Sequence, residues 1–291
     1  MRIGIGVFVL ACLTFATALA EDGPAPFASF DKAGPEELND PHDLAFGPDG
    51  RLYVADKFGH RIAVVDPDTL EVVESLSAGK LPGAHDISFG PEGEVAVAVT
   101  GLGSVFVFSS VETLDIAPRT MLAAPGTEGA LAHSNGRIYA MAGGTGLLIA
   151  YENGGAVASV GSHPGAHDVA EGPDGSVWVA DNFNRRLVRY SPDLEKLQTV
   201  EGPQFGFYGP RYLDIDGFGR LVVADQDAHR ILLIDPDVDG GAVLLGVLGT
   251  GKPGKGPNLF DDPEGVAIRG NDYYFSDSDN NRIVRYTVAI N

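Results

Sequence analysis

Cysteine is almost missing from this sequence: of 291 residues only Cys12 carries a thiol, and it lies inside the N-terminal apolar run. Once that run is removed, disulfides and cysteine-ligated metals are excluded, and stability has to come from a buried core. Basic residues are the second shortage. Lys and Arg number 20 against 40 Asp and Glu, a formal net charge of −20, and so acidic a surface repels phosphate backbones. Nucleic acid is not expected as a partner. Long helical periodicities are the third shortage, because apolar residues fall in short runs between glycine, proline and Asx turns. There is no Gly-x-Ser-x-Gly elbow, no His-Glu-x-x-His pair and no phosphate-binding glycine loop. Asp-rich pieces such as Asp235-Pro236-Asp237 lack the loop length and closing glutamate of an EF-hand and read as turns.

Residues 1–20 read as a secretory signal, with Met1-Arg2 as the positive start, Ile3 to Ala16 nearly all apolar, and Ala18-Leu19-Ala20 as the cleavage site. The mature chain, 21–291, is then a single exported domain, periplasmic or secreted, with no membrane span after cleavage and expected to be a monomer. A lipid anchor at Cys12 ranks second, since the hydrophobic region before that cysteine is unusually short. An uncleaved N-terminal anchor ranks below both.

What is present is a repeat. One pattern recurs six times, anchored on Gly50, Gly93, Gly136, Gly175, Gly219 and Asn271 at spacings of 43, 43, 39, 44 and 52 residues. Each copy holds three β-type runs plus a fourth in the spacer, such as Glu71 to Leu76, which makes a four-stranded antiparallel unit of blade size. The expected fold is all-β, a six-bladed β-propeller. Its sixth copy stops after the third run, so Ala25 to Phe30 is expected to supply the last strand and close the ring.

The repeats resemble the NHL family, best in Gly209-Pro210-Arg211 through Arg230 and in Asp262-Pro263-Glu264 through Arg282. The resemblance covers nearly the whole mature chain, is weaker in copy two and degenerate in copy three, and implies a propeller, commonly six-bladed.

Four copies carry Asp and Arg five residues apart: Asp56 and Arg61, Asp181 and Arg186, Asp225 and Arg230, Asp277 and Arg282. A feature repeated in that many blades serves packing, as a salt bridge between neighbouring strands. The position that differs lies at the start of each first strand, where His42, His85, Glu128, His167, Arg211 and Glu264 stand. In a propeller the first strand is innermost, so these six side chains form a polar ring at one channel mouth. Such a ring needs water, a metal or a ligand to satisfy it.

His42, His85 and His167 converge from separate blades and offer three nitrogens to a divalent metal; zinc, copper, iron and manganese all suit such a set. Here the sequence resembles the peptidyl-hydroxyglycine amidating lyases, whose Pro-His-Gly or Pro-His-Asp motifs supply zinc-ligating histidines. Pro41-His42-Asp43, Ala84-His85-Asp86 and Ala166-His167-Asp168 match at this strand position, but in blades one, two and four rather than in alternate blades. In that family arginine and tyrosine flank the metal, which here implies Arg211 and Tyr212. A looser resemblance, to the SMP-30/gluconolactonase-like propellers with their acidic calcium ligands, rests on Glu128 and Glu264. Without a metal the same histidines are solvated mouth residues, and Arg211 neutralises Glu128 or Glu264.

Two functions follow. One is a metal-dependent lyase or hydrolase of a small molecule or peptide end, with Arg211 holding an anionic group and Glu128, Glu264 or Tyr212 moving a proton. The other is a non-catalytic scaffold that binds a protein, peptide or glycan. Exposed aromatics at Phe205, Phe207 and Tyr208 would serve either.

Overall fold

The computed structural model describes residues 25–288, and within them the chain forms six sheets of four antiparallel strands. The secretory signal expected at 1–20 lies outside the described residues. Blade one runs Pro41–Phe46, Leu52–Asp56, Arg61–Val65 and Val72–Leu76, and each later blade repeats this meander. First strands of successive blades touch one another, and the first strand of blade six touches that of blade one, so the blades close into a propeller. No described helix is long and apolar enough to cross a membrane.

The local chemistry explains the repeat. Gly50, Gly93, Gly136, Gly175 and Gly219 all have φ between 76° and 87°, the left-handed turn between the first two strands, which L side chains adopt only with strain. Blade six departs from this alignment. There the left-handed residue is Gly270 rather than Asn271, because strand Pro263–Arg269 runs almost directly into Asp272–Asp277. Second strands such as Leu52–Asp56 and Val95–Val99 are buried along their whole length, since both sheet faces are covered by neighbouring blades. That is why they read as continuous apolar runs.

The ring closes through the N-terminus, with a shifted register. The strand that pairs with Arg282–Thr287 is Ser29–Ala33, not Ala25 to Phe30. Phe30 meets the Tyr286 ring edge-on at 5.5 Å, and this contact sets the pairing. Ala25 is used elsewhere: its carbonyl accepts the Val247 N–H on the outer strand of blade five, while Phe27 packs on Tyr273.

All four Asp and Arg pairs form across the hairpin between second and third strands, at 2.6 to 2.8 Å, with every carboxylate fully buried. The free carboxylate oxygens do a second job. Asp56 accepts the Asn39 N–H, Asp225 those of Tyr208 and Gly209, and Asp277 that of Asp261, so three pairs also hold the loop that enters the first strand. In blade four His163, buried and bridging Asp181 to the Tyr190 hydroxyl, takes the place of that backbone donor. Removing one partner strands the other, so Asp225→Ala should lower unfolding free energy by about 3–5 kcal/mol in denaturant titrations. A loss below about 1 kcal/mol would assign these pairs the small worth of surface bridges.

Candidate functional site at the channel mouth

A β-bulge at the ring position re-aims the side chain in five of the six first strands. The register slips between Pro41 and Leu44, Ala84 and Asp86, Thr127 and Gly129, Pro210 and Tyr212, and Pro263 and Val266. In blade four the regular strand begins only at Val169, and His167 stands just before it. The loops that precede these strands are clasped by the loops between second and third strands. Lys57 and Phe58 donate to the Asp40 and Asn39 carbonyls, Thr100 and Gly101 to Gly83 and Pro82, and Ser278 and Asp279 to Asp262 and Asp261.

The three histidines meet, and each ring is buried. His42 and His85 have ring centroids 4.1 Å apart, and His85 and His167 lie at 5.8 Å. His85 Nε2 is 2.8 Å from Glu128 Oε2, and His167 Nε2 is 3.6 Å from the same oxygen. The His42 Nδ1 stands directly against Glu264 Oε2, while Lys57 Nζ approaches its Nε2 at 2.9 Å. His167 Nδ1 donates to the Gly165 carbonyl at 2.7 Å, which leaves Nε2 as the acceptor facing the cluster. Arg211 reaches Glu264 at 3.3 Å, the neutralisation expected of that pair.

Tyr212 occupies the floor of the site. Its hydroxyl donates to the His85 carbonyl at 3.0 Å, lies 3.0 Å from His85 Nδ1 and 3.5 Å from His42 Nδ1, and is fully buried. Glycine lets neighbouring first strands approach at the ring: a Cβ at Gly129 would come within 2.2 Å of the His167 carbonyl, and one at Gly265 within 2.3 Å of the His42 carbonyl.

Charge states follow from burial and neighbours. Burial depresses the pKa of both His85 and His167, the second strongly, with Arg211 adding to the effect there. Burial works against His42 too, but Glu264 and Asp40 outweigh it and its pKa is raised. Burial pushes Tyr212 well above the ordinary phenol value, so it stays protonated as a donor.

A second layer escaped the sequence reading. Below the histidines, Asp43, Asp86, Asp168 and Asp214 line the central channel, in a cavity of about 290 Å³. They carry hydrogen bonds from blade to blade: Asp43 accepts the Ile87 N–H and Asp168 the Leu213 N–H. Burial raises the pKa of each, to about 7 for Asp168 and Asp214. Three of them follow the ring histidines directly, and that repeated His-Asp pair was the available clue.

Other expectations need correcting. Phe205 and Phe207 are buried, not exposed; they stack on each other at 5.5 Å in the core between blades four and five, and of the three aromatics only Tyr208 is exposed. Exposed apolar groups come instead from the clasping loops, as Phe58, Leu102 and Phe183. Gln226, absent from the candidates, lies buried beside Glu264.

Residues 28–205 match the model of a family described as a domain of unknown function, DUF5074. The chain belongs to the DUF5074 family. No curated protein matches its sequence. Among solved structures, this DUF5074 propeller is similar to a streptogramin B lyase at 13% identity and TM-score 0.64, over 90% of this chain and 89% of that one. It is similar to the virginiamycin B lyase of Staphylococcus aureus at 13% identity and TM-score 0.64, over 86% and 96% of the two chains. An auxiliary nutrient binding protein from Bacteroides thetaiotaomicron has 16% identity and TM-score 0.67, over 88% of this chain and 72% of that one. At these identities the likeness is one of fold, shared by lyases and binding proteins alike.

Proposed function

We propose that this protein is an exported propeller that holds a divalent metal, zinc first, with His42, His85 and His167, and acts as a lyase or hydrolase on a small molecule or peptide end. The observation that carries the reading is the convergence of three buried imidazoles from separate blades on the two carboxylates Glu128 and Glu264. The NHL-like repeat and the Pro-His motif add to it.

The donor set suits such an ion. Burial favours neutral rings at His85 and His167, and the His167 tautomer leaves Nε2 toward the cluster; His42, held toward its charged form by Glu264 and Asp40, has to give up that proton to bind. The spacing is that of a hydrogen-bonded cluster: no group of three His, Cys, Asp or Glu among the described residues stands at metal-holding distances. Binding therefore requires Glu128, the less buried carboxylate, to release His85. A bound divalent ion supplies Lewis-acid polarisation of a substrate oxygen or of water. Arg211 holds an anionic group, and Glu128 or Glu264 exchanges a proton at the mouth. Tyr212 keeps its proton and orients His85 and His42 from below.

Elemental analysis of protein purified without a metal-affinity tag tests this. About one equivalent of metal in the native protein, lost in the His42, His85 and His167 triple alanine variant, is the expected result. Substoichiometric metal in both ends the metal reading. An activity screen with α-hydroxyglycine peptides and lactones then separates an enzyme from a metal-stabilised scaffold.

The second reading, a non-catalytic binding scaffold, has its own observation. Phe58, Leu102 and Phe183 stand exposed on the loops that clasp the mouth, with Tyr208 on the adjoining entry loop, and would contact a bound protein, peptide or glycan.

A further inference from the structure

We propose that the cavity at the mouth between blades five, six and one binds a primary ammonium group of the ligand, whose apolar part lies on Phe58. The inference rests on reading this mouth as a ligand site, and it requires neither a metal nor catalysis there.

The cavity, about 420 Å³, is lined by Asp40, Phe58, Gln226, Asp262, Glu264 and Asp279 among others. Gln226 decides what fits. Its amide nitrogen donates to Asp262 Oδ2 at 2.6 Å and to Glu264 Oε1, so both amide protons are held by carboxylates and the orientation of the group is settled by its partners. The carbonyl Oε1 therefore faces away from them. It belongs to a side chain only 3% exposed, and it has no hydrogen-bond partner among the described residues. Glu264 Oε2, by contrast, already stands against His42 Nδ1. Buried acceptors without donors cost stability until a donor arrives.

The charges at the cavity say which donor. Four carboxylates, Asp40, Asp262, Glu264 and Asp279, face two cations. Lys57 is drawn to Asp40 at 3.1 Å, and Arg211 reaches Glu264 at 3.3 Å. The balance stays negative even when His42, set between Asp40 and Glu264, is counted as a third cation, which disfavours an anion. A hydroxyl brings one donor and no charge. A primary ammonium brings three N–H donors and one positive charge, enough for the orphaned Gln226 carbonyl and for the carboxylates of Asp262 and Asp279. Beside the cavity, Phe58 is 55% exposed and already carries the Lys57 ammonium 4.8 Å from its ring centroid, so its face tolerates a cation and its edge is free for apolar contact.

Isothermal titration of the mature chain, stripped with EDTA, tests this with three probes: phenethylamine, N-acetylphenethylamine and 3-phenylpropionate. Saturable binding is expected for the amine alone, weakened roughly tenfold or more by Gln226→Leu, which keeps the shape and removes the acceptor. Phe58→Ala, on the surface and away from the core, should weaken it as well. Equal binding of the acetylated or the anionic probe overturns the proposal, as does no saturable binding of the amine, or amine binding unchanged in both variants. His85→Ala separates the two readings of the mouth. Amine binding that persists there, while metal is absent from the native protein, sinks the metal reading and leaves this one standing; metal bound without amine binding does the reverse.

Discussion

The protein should lose stability as pH rises from 5 to 8, by on the order of 3 kcal/mol, and Asp214→Asn should remove a large part of that loss. Burial is the leading cause that holds the Asp214 pKa at about 7 against an ordinary 3.8, with Asp216 adding to it and backbone N–H groups of Ile215 and Ile268 opposing it. A carboxyl group raised on folding binds its proton more tightly in the native state. Its contribution is therefore complete below about pH 4 and disappears as pH climbs through 7. Asp43, Asp86 and Asp168 are raised in the same direction, first by burial and then by neighbouring channel aspartates, so the channel as a whole favours mildly acidic conditions. Asp40, whose pKa is lowered to about 2, works in the opposite sense but only in strong acid.

Asparagine at 214 keeps one acceptor and carries no charge. Its amide loses one backbone hydrogen bond, about 1 kcal/mol, which is smaller than the cost of burying the carboxylate at pH 8. Melting curves of the two proteins at pH 5 and pH 8 are sufficient. The native protein should melt roughly 5 to 10 °C lower at pH 8, and the variant should melt higher than the native protein there. Identical pH slopes in the two proteins would mean that Asp214 ionises normally and that water reaches the channel floor.

Removing the N-terminal segment, with a chain that begins at Asp40, should cost several kcal/mol and yield an aggregation-prone species. The strand Ser29–Ala33 is the fourth strand of blade six, so its loss bares the whole edge of Arg282–Thr287. It also uncovers Tyr273 and Tyr286, against which Phe27 and Phe30 pack. Each large apolar side chain contributes about 1.5–3 kcal/mol on burial, offset in part by the entropy of ordering the segment. Asp31 adds an ion pair to Arg285, and Leu38 packs into the core cluster of blades one and six. Phe30→Ala isolates the packing contribution from the hydrogen-bonded edge and should show about half of the effect. An unchanged melting temperature for the truncated chain would show that the ring holds without its clasp.

The architecture was readable because its causes are local and repeated. A glycine that must adopt positive φ at Gly50, Gly93, Gly136, Gly175 and Gly219 marks five copies, and an Asp and Arg pair facing each other across a hairpin marks four. Even the ring of His42, His85 and His167 was legible, since equivalent positions on innermost strands must converge. The clasp was placed correctly in the chain but a few residues early, because Phe27 and Phe30 look alike in sequence and only their partners, Tyr273 and Tyr286, tell them apart.

The sequence alone thus determined the number of blades, the closure by the N-terminus and which positions face the mouth, because period and local backbone chemistry need no knowledge of the neighbours. Tertiary structure alone decided that Phe205 and Phe207 turn inward, that the aspartates after the histidines become a buried layer bonded from blade to blade, and that Gln226 presents an acceptor with no donor among the described residues. Those outcomes depend on what a neighbouring blade leaves uncovered. Burial, charge balance and hydrogen-bond satisfaction are sums over residues far apart in the chain, and they take values only once the ring has closed.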